Sequence, residues 1–389
     1  MSKLPAGWKK VKLLECLLEP PKYGINAPAV KYDNSLPTYI RITDIDEYGN
    51  FISKNKVSVN NENYNKYILE ENDLVFARTG SVGKTYLYNK KDGLLVFAGY
   101  LIKVKPNQNI LISQFLKQYT NSSEYFKFIK TTSQRTVQAG INAKEYGNME
   151  ISLPPLNEQK RIASALSKID AYLENTIKLI EEKERFKRGI AKKLLTCKEG
   201  ENIPEARFKG FEDEWETKTL NSISNIKKGE QKNKLDLIAD GKYPVLNGGM
   251  NFSGYCNSYN REANTITISE GGNAGYVNFI KEKFWSSGHC YTLHDLKIDK
   301  YFLYQCLKNS EKRLMKLQLG TALKNIRQSE IVEFELNIPK SIKEQEKIGG
   351  YLSLLDEEID NLKKQKELIK EMKRGAMQKL LSGEVRLLE

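Results

Sequence analysis

At 389 residues, with 40% hydrophobic and 29% charged residues and no low-complexity tract, the chain has room for two or three domains that each bury a core. No window approaches the ~18 apolar residues of a membrane span, and the opening MSKLPAGWKK lacks the apolar core of a signal peptide. Five scattered cysteines (Cys16, Cys197, Cys256, Cys290, Cys306), odd in number, point to reduced thiols and a cytoplasmic location. Net charge is +13, spread over folded segments: residues 1–155 hold 21 Lys/Arg against 14 Asp/Glu, residues 156–200 hold 11 against 7, and the remainder is nearly balanced. A polyanionic partner fits that balance, nucleic acid above all, with mere solubility as the bland alternative.

In chain order, a first segment opens on Trp8 (GWKKVKL) and runs through a Tyr-, Ile- and Val-rich stretch to a glycine turn, DLVFARTGSVGKTYLYN (residues 73–89). A helical stretch follows near residues 113–130, then the polar run SQRTVQAGINAKEYGNMEISLP (133–154). A long heptad helix occupies 158–196. The chain then says the same thing again. Trp215 (EWETKTL) opens a second segment with its own glycine turn, NTITISEGGNAGYVNF (264–279), a helical stretch near 300–319, and LGTALKNIRQSEIVEFELNIP (319–339). A second helix, 344–382, repeats the first 186 residues later, each opening on Glu-Gln and closing on Arg-Gly and then Lys-Leu-Leu. Gly80 matches Gly272, Gly83 matches Gly275, Ile141 matches Ile326 and Glu145 matches Glu330. Such internal repetition governs the fold.

A 4-3 walk along the first helix lands on Ile162, Leu166, Ile169, Leu173, Thr176, Ile180, Lys183, Lys187, Ile190 and Leu194, seven of ten apolar. The second gives Ile348, Leu352, Leu355, Ile359, Leu362, Lys366, Ile369, Lys373, Ala376 and Leu380, eight of ten apolar. This is a coiled-coil seam with lysine lapses. Neither helix buries its stripe alone. Two equal halves related by a local twofold would pair their helices antiparallel within one chain, the alternative being a coiled coil between separate chains. The expected architecture is α+β with a pseudo-twofold repeat: two α+β domains at 1–155 and 201–340, and helices at 156–200 and 341–389 forming an intramolecular antiparallel coiled coil.

Chemistry-bearing motifs are scarce. Gly80–Thr85 tempts a phosphate-loop reading, but Arg78 stands where that motif needs its first glycine, and TYLYNKKDGLLVF reads as strand and turn. A hairpin turn, either plain or presenting Arg78, Ser81 and Lys84 to DNA, fits better. His289, His294 and Cys290 make no metal spacing and read as structural. The Pro-Pro pairs follow only Glu19 and Leu153, so the Asp/Asn-Pro-Pro-aromatic run of base-amino methyltransferases is missing. No Pro-Asp dipeptide occurs, against the commonest nuclease signature. Arg and Lys suit guanine, and Gln and Asn adenine. By residue type and loop position, the candidate DNA-binding residues are Arg41, Arg78, Lys84, Arg135 and Gln138 in the first segment. In the second they are Asn273, Tyr276, Lys324 and Arg327.

The order of variable segment, EQ-initiated heptad helix, second variable segment and second such helix resembles the specificity subunit of type I restriction-modification systems. The most specific parts are LPPLNEQKRIASALSKIDAYLE (153–174), AKKLLT (191–196) and residues 344–382; Ile-Pro-Lys-Ser-Ile replaces a fuller Leu-Pro-Pro-Leu run before the second helix. The resemblance implies two target-recognition domains reading the halves of a bipartite, asymmetric double-stranded DNA site, with the helices as spacer. It implies docking of two methyltransferase subunits, which carry S-adenosylmethionine, and of restriction subunits that translocate and cleave. On that reading the chain is non-catalytic and binds no cofactor or metal itself. A coiled-coil adaptor that touches no DNA, and a nucleotide hydrolase built on the 80–85 turn, are the competing readings.

Overall fold

The structure, a computed structural model, describes residues 4–133, 140–320 and 324–388. The chain folds into two compact units, the first drawn from residues 1–176 and 366–389 and the second from residues 177–365.

Two 40-residue helices, Leu156–Leu195 and Ile342–Leu381, are the longest elements. Pro155 and Pro339 fall just before them, where a proline's missing N–H costs nothing. Glu158 and Glu344 sit in the first turns and lysines in the last, matching the helix dipole. The helices pack together and run antiparallel. In the first unit, Glu158 and Asp170 near the start of one meet Arg386 and Lys373 from beyond and near the end of the other. In the second unit, Glu184 and Lys187 near the end of the first helix meet Lys363 and Asp356 of the second. The expected intramolecular antiparallel pairing is the one observed.

The heptad stripe is the buried face: Ile162, Leu166, Leu173, Ile180 and Leu194 on one helix, Ile348, Leu352, Ile359, Ile369 and Leu380 on the other. Three of the four lysine lapses have a physical reason; the fourth, Lys366, meets Glu367 on its own helix. Lys187 meets Asp356 at 2.5 Å, Lys373 meets Asp170 at 2.6 Å, and Lys183 meets Glu358 at 2.7 Å. A long aliphatic stem covers apolar surface while its ammonium reaches a carboxylate on the facing helix. No helix among the described residues is long and apolar enough to cross a membrane.

Each unit adds an α+β body. In the first, an antiparallel sheet runs in the order Leu17–Tyr23, Leu101–Pro106, Leu74–Ala77, Thr85–Leu87. A mixed sheet follows the order Ala29–Lys31, Val57–Val59, Thr38–Ile40, Leu95–Phe97, its last pair parallel. Strand Lys9–Lys12 pairs with Glu150–Leu153, closing the body just before the long helix begins. The second unit repeats the plan. Its antiparallel sheet runs Asn225–Lys228, Cys290–His294, Thr265–Ser269, Val277–Ile280. Its smaller mixed sheet runs Gly254–Cys256, Tyr243–Leu246, Trp285–Ser286, and Glu216–Thr219 pairs with Glu335–Ile338. Both cores set short helices and the main sheet against the long-helix seam: Phe115, Leu116 and Tyr125 join Ile162, Leu166 and Met377 in one, while Phe302, Leu303 and Leu307 join Leu194, Ile348 and Leu352 in the other.

The glycine turns expected from sequence are hairpin connections. The 80–85 segment links antiparallel strands Leu74–Ala77 and Thr85–Leu87, which rules out a phosphate loop opening a helix. Gly83 and Gly275 hold φ of +91° and +87°. A Cβ at Gly275 would meet the backbone of Met315 at 2.9 Å, so the residue is fixed by both conformation and space.

Candidate nucleic-acid interface

The repeated Glu-Gln pair holds each unit shut. Glu158, 3% exposed, accepts Trp8 Nε1 at 3.1 Å and a bidentate pair from Arg386 at 2.6 and 2.8 Å. Glu344, 1% exposed, accepts Trp215 Nε1 at 3.3 Å and a bidentate pair from Arg207, both bonds 2.8 Å. Burial presses the Glu158 carboxyl upward, but the hydrogen bonds from Arg386 and Trp8 outweigh it and hold the group below its ordinary value. Gln159 accepts the amide of Ile112 and donates to the carbonyls of Ile110 and Pro154; Gln345 accepts that of Asp299 and donates to Pro339. Asp170 and Asp356 each add a glutamine, Gln118 at 2.7 Å and Gln305 at 2.8 Å, to the lysine already named. Apart from Gln118 Oε1, the buried carboxylates and amides of these sets are paired, so these braces fix the helices to the α+β bodies.

The glycine turns are held by one hydrogen-bond frame in both units. Ala77 N–H donates to Lys84 O and Gly83 N–H to Ala77 O; Ser269 N–H donates to Tyr276 O and Gly275 N–H to Ser269 O. Beside the turn, Arg78 N–H donates to Tyr100 O and Ile141 N–H to Arg78 O. In the second unit Glu270 N–H donates to His289 O and Ile326 N–H to Glu270 O.

On this frame the sequence candidates take distinct places. Arg78 and Lys84 flank the first turn. Arg78 stacks over the Tyr23 ring at 4.8 Å, and its buried Nε has no hydrogen-bond partner. Lys84 Nζ donates to Ile45 O at 2.7 Å. Arg41 lies in the neighbouring 41–45 turn, held bidentately by Asp44 at 2.8 Å. In the second unit Asn273 is exposed in the turn and its carbonyl accepts Tyr276 N–H, while the Tyr276 ring lies 3.8 Å below Lys308 Nζ. Lys324 and Arg327 are exposed on the segment hydrogen-bonded to Glu270, so they border the same turn. Arg135 and Gln138 lie outside the described residues.

Sequence reasoning missed five neighbours: Tyr23 and Tyr100 beside Arg78, and Lys228, Glu270 and His289 in the second unit. Glu270 Oε1 accepts Lys228 Nζ at 2.6 Å and Tyr291 Oη at 2.9 Å, and Oε2 lies 3.4 Å from His289 Nδ1. Burial presses this carboxyl upward, yet the bonds from Lys228 and Tyr291 win and hold it below its ordinary value. His294, by contrast, is tied to Thr292 at 2.8 Å, and burial lowers its pKa. Among the described residues no cluster of His, Cys, Asp or Glu could hold a metal ion.

Two α+β bodies with differently dressed turns, each bolted to an antiparallel helix pair, define a duplicated α+β protein built around two long helices. The family model for the type I restriction modification DNA specificity domain matches residues 17–182 and again 212–371, and the chain belongs to this family. The type I restriction enzyme MjaVIII specificity subunit of Methanocaldococcus jannaschii is 25% identical over 414 residues, covering 99% of this chain and 94% of that protein. A Mycoplasma pneumoniae protein provisionally named a type I specificity subunit is 40% identical over 151 residues, and the match spans 38% of this chain and 40% of that relative. The crystal structure of the type I restriction-modification S subunit from M. genitalium shares the fold with a TM-score of 0.68 at 20% identity, covering 97% of both chains.

Proposed function

We propose that the protein is the DNA-reading subunit of a type I restriction-modification complex, in which each α+β unit reads one half of a bipartite, asymmetric site. The observation that carries this reading is the double family match laid over two units that share a backbone frame but differ in the polar side chains around it. Affinity would come from lysines and arginines on phosphates, and choice from side chains at base edges. Arg41, Arg78, Lys84, Arg135 and Gln138 in the first unit, and Asn273, Tyr276, Lys324 and Arg327 in the second, are the proposed DNA contacts. The antiparallel helices set the gap between half-sites and dock two methyltransferase subunits, with restriction subunits completing the assembly. The chain positions its partners on DNA and leaves the chemistry to them, within the cytoplasm.

The test is to map methylated bases across the genome of cells with and without this gene, in the presence of the methyltransferase partner. A two-part motif that vanishes with the gene supports the reading. An unchanged methylation pattern refutes it.

A further inference from the structure

The shared hydrogen-bond frame equates side-chain positions in the two units. Arg78 and Glu270 make the same two backbone bonds, to Tyr100 and Ile141 in one unit and to His289 and Ile326 in the other. Sheet register adds the facing residue. Phe76 pairs with Ile102 and Ile268 with Tyr291, and across the next strand Ile102 pairs with Tyr23 and Tyr291 with Lys228. Tyr23 therefore corresponds to Lys228, Arg78 to Glu270, and Tyr100 to His289. One slot holds tyrosine, arginine, tyrosine; its counterpart holds lysine, glutamate, histidine.

The slots invert their central charge while keeping an accessible rim. Tyr23 is 42% and Tyr100 63% exposed, and the side chains of Lys228 and His289 are 49% and 54% exposed. The central groups are ready to bond. The Arg78 guanidinium lies over the Tyr23 ring, whose own hydroxyl accepts the amide of Ala143, and its Nε is a buried donor still lacking an acceptor. A buried donor left without a protein acceptor, at the edge of an accessible rim, is placed to take one from a ligand. Among the described residues, Glu270 Oε2 is engaged only by the long contact to half-exposed His289, leaving room for a donor.

We infer that this slot is the base-reading head of each unit, with Arg78 on Tyr23 addressing the O6/N7 edge of guanine and Glu270, steadied by Lys228, accepting the exocyclic amino group of cytosine. The pairing of arginine with guanine and glutamate with cytosine N4 follows from donor and acceptor geometry in the major groove. The two halves of the site then differ because one arginine has been exchanged for one glutamate on a common frame.

This inference rests on the DNA-reading function proposed above, and one experiment separates the two. The full chain is assembled with its methyltransferase partner and methylated motifs are mapped for the native protein, E270A, E270Q and R78A, with melting temperatures measured alongside. The native complex must yield a bipartite motif; its failure to do so sinks the proposed function itself. Given that motif, E270A should relax one base pair in one half by roughly 5- to 150-fold while leaving the other half unchanged. R78A should do the converse. E270Q should turn the same position toward adenine, which glutamine reads, a change that a merely structural role would not produce. Native base tolerance in both Glu270 variants overturns the inference. So does uniform weakening on all DNA, which marks a phosphate contact, and so does failure of both variants to fold, which marks Glu270 as a brace.

Discussion

Replacing Arg207 by alanine probes whether the glutamate opening each long helix is a structural keystone. Glu344 has 1% of its side chain exposed and Arg207 13%, so the pair is largely shielded from solvent. Without the guanidinium, the carboxylate keeps only the single 3.3 Å bond from Trp215 Nε1. Breaking a buried pair from one side costs about 3–5 kcal/mol, and the partly wet rim around Arg207 places this case near the lower end. For a unit of this size each kcal/mol moves Tm by roughly 2–4 °C, so Arg207→Ala should melt about 6–12 °C early. Circular dichroism melts of the purified chain read this directly. The double variant Arg207→Met/Glu344→Leu should recover most of the loss, because a well-packed apolar pair replaces a buried ion pair at little cost. A drop below about 2 °C for the single variant, or a double variant that loses the sum of the two singles, refutes the reasoning.

Adjacent glycines in the second long helix should respond oppositely to alanine. A Cβ at Gly349 would meet Phe302 N at 2.4 Å and Asp299 Oδ1 at 2.7 Å, whereas Gly350 faces open space. Gly349→Ala should therefore destabilise by about 1–3 kcal/mol and Gly350→Ala should stabilise by up to ~1 kcal/mol in chemical denaturation; equal effects would contradict the close approach. Glu158, whose folded carboxyl lies below its ordinary value, contributes stability that is complete above the unfolded value of about 4.3 and lost as pH falls through the folded value. The Tm gap between native protein and Arg386→Ala should hold at neutral pH and close on acidification; a gap constant down to the lowest accessible pH would tell against the pair. Deleting seven residues from each long helix shortens each by about 10 Å. The gap between half-sites in the methylated motif should shrink by roughly 3 base pairs at ~3.4 Å each, and an unaltered gap would remove the spacer role.

The long helices were legible because a 3.5-residue stripe is a local signal: Ile162 through Leu194 and Ile348 through Leu380 announce one buried face with no knowledge of the partner. The turn at Gly80–Thr85 was equally legible, since strand-like flanks on both sides argue against a helix opening there. Lys187 and Lys373 looked like flaws in the stripe. Their carboxylates, Asp356 and Asp170, lie well over a hundred residues away, and a periodic pattern in one helix cannot say what stands across from it. The head residues were hidden for a related reason. Tyr23 and Lys228 come from strands far in sequence from their turns, and only the register of the intervening strand brings them beside Arg78 and Glu270. Arg78 was found because its residue type suits DNA. Glu270 carries no such signal, because an acidic residue type does not by itself suit a polyanion.

What the two units repeat and what they vary follows from where polar groups are buried. Glu158 with Trp8 and Arg386 has its counterpart in Glu344 with Trp215 and Arg207, and the Asp170–Lys373–Gln118 set has its counterpart in Asp356–Lys187–Gln305. In such sets each member satisfies another, so changing one strands the rest and costs several kcal/mol. The reading slots are less tightly bound, although Glu270 still holds Lys228 and Tyr291. Their rims are half in water, and arginine on tyrosine can give way to glutamate beside lysine while the backbone bonds beneath stay the same. A frame held by its own backbone bonds thus leaves its solvent-facing positions free to differ, and a duplicated protein on that frame can hold two chemistries without two folds.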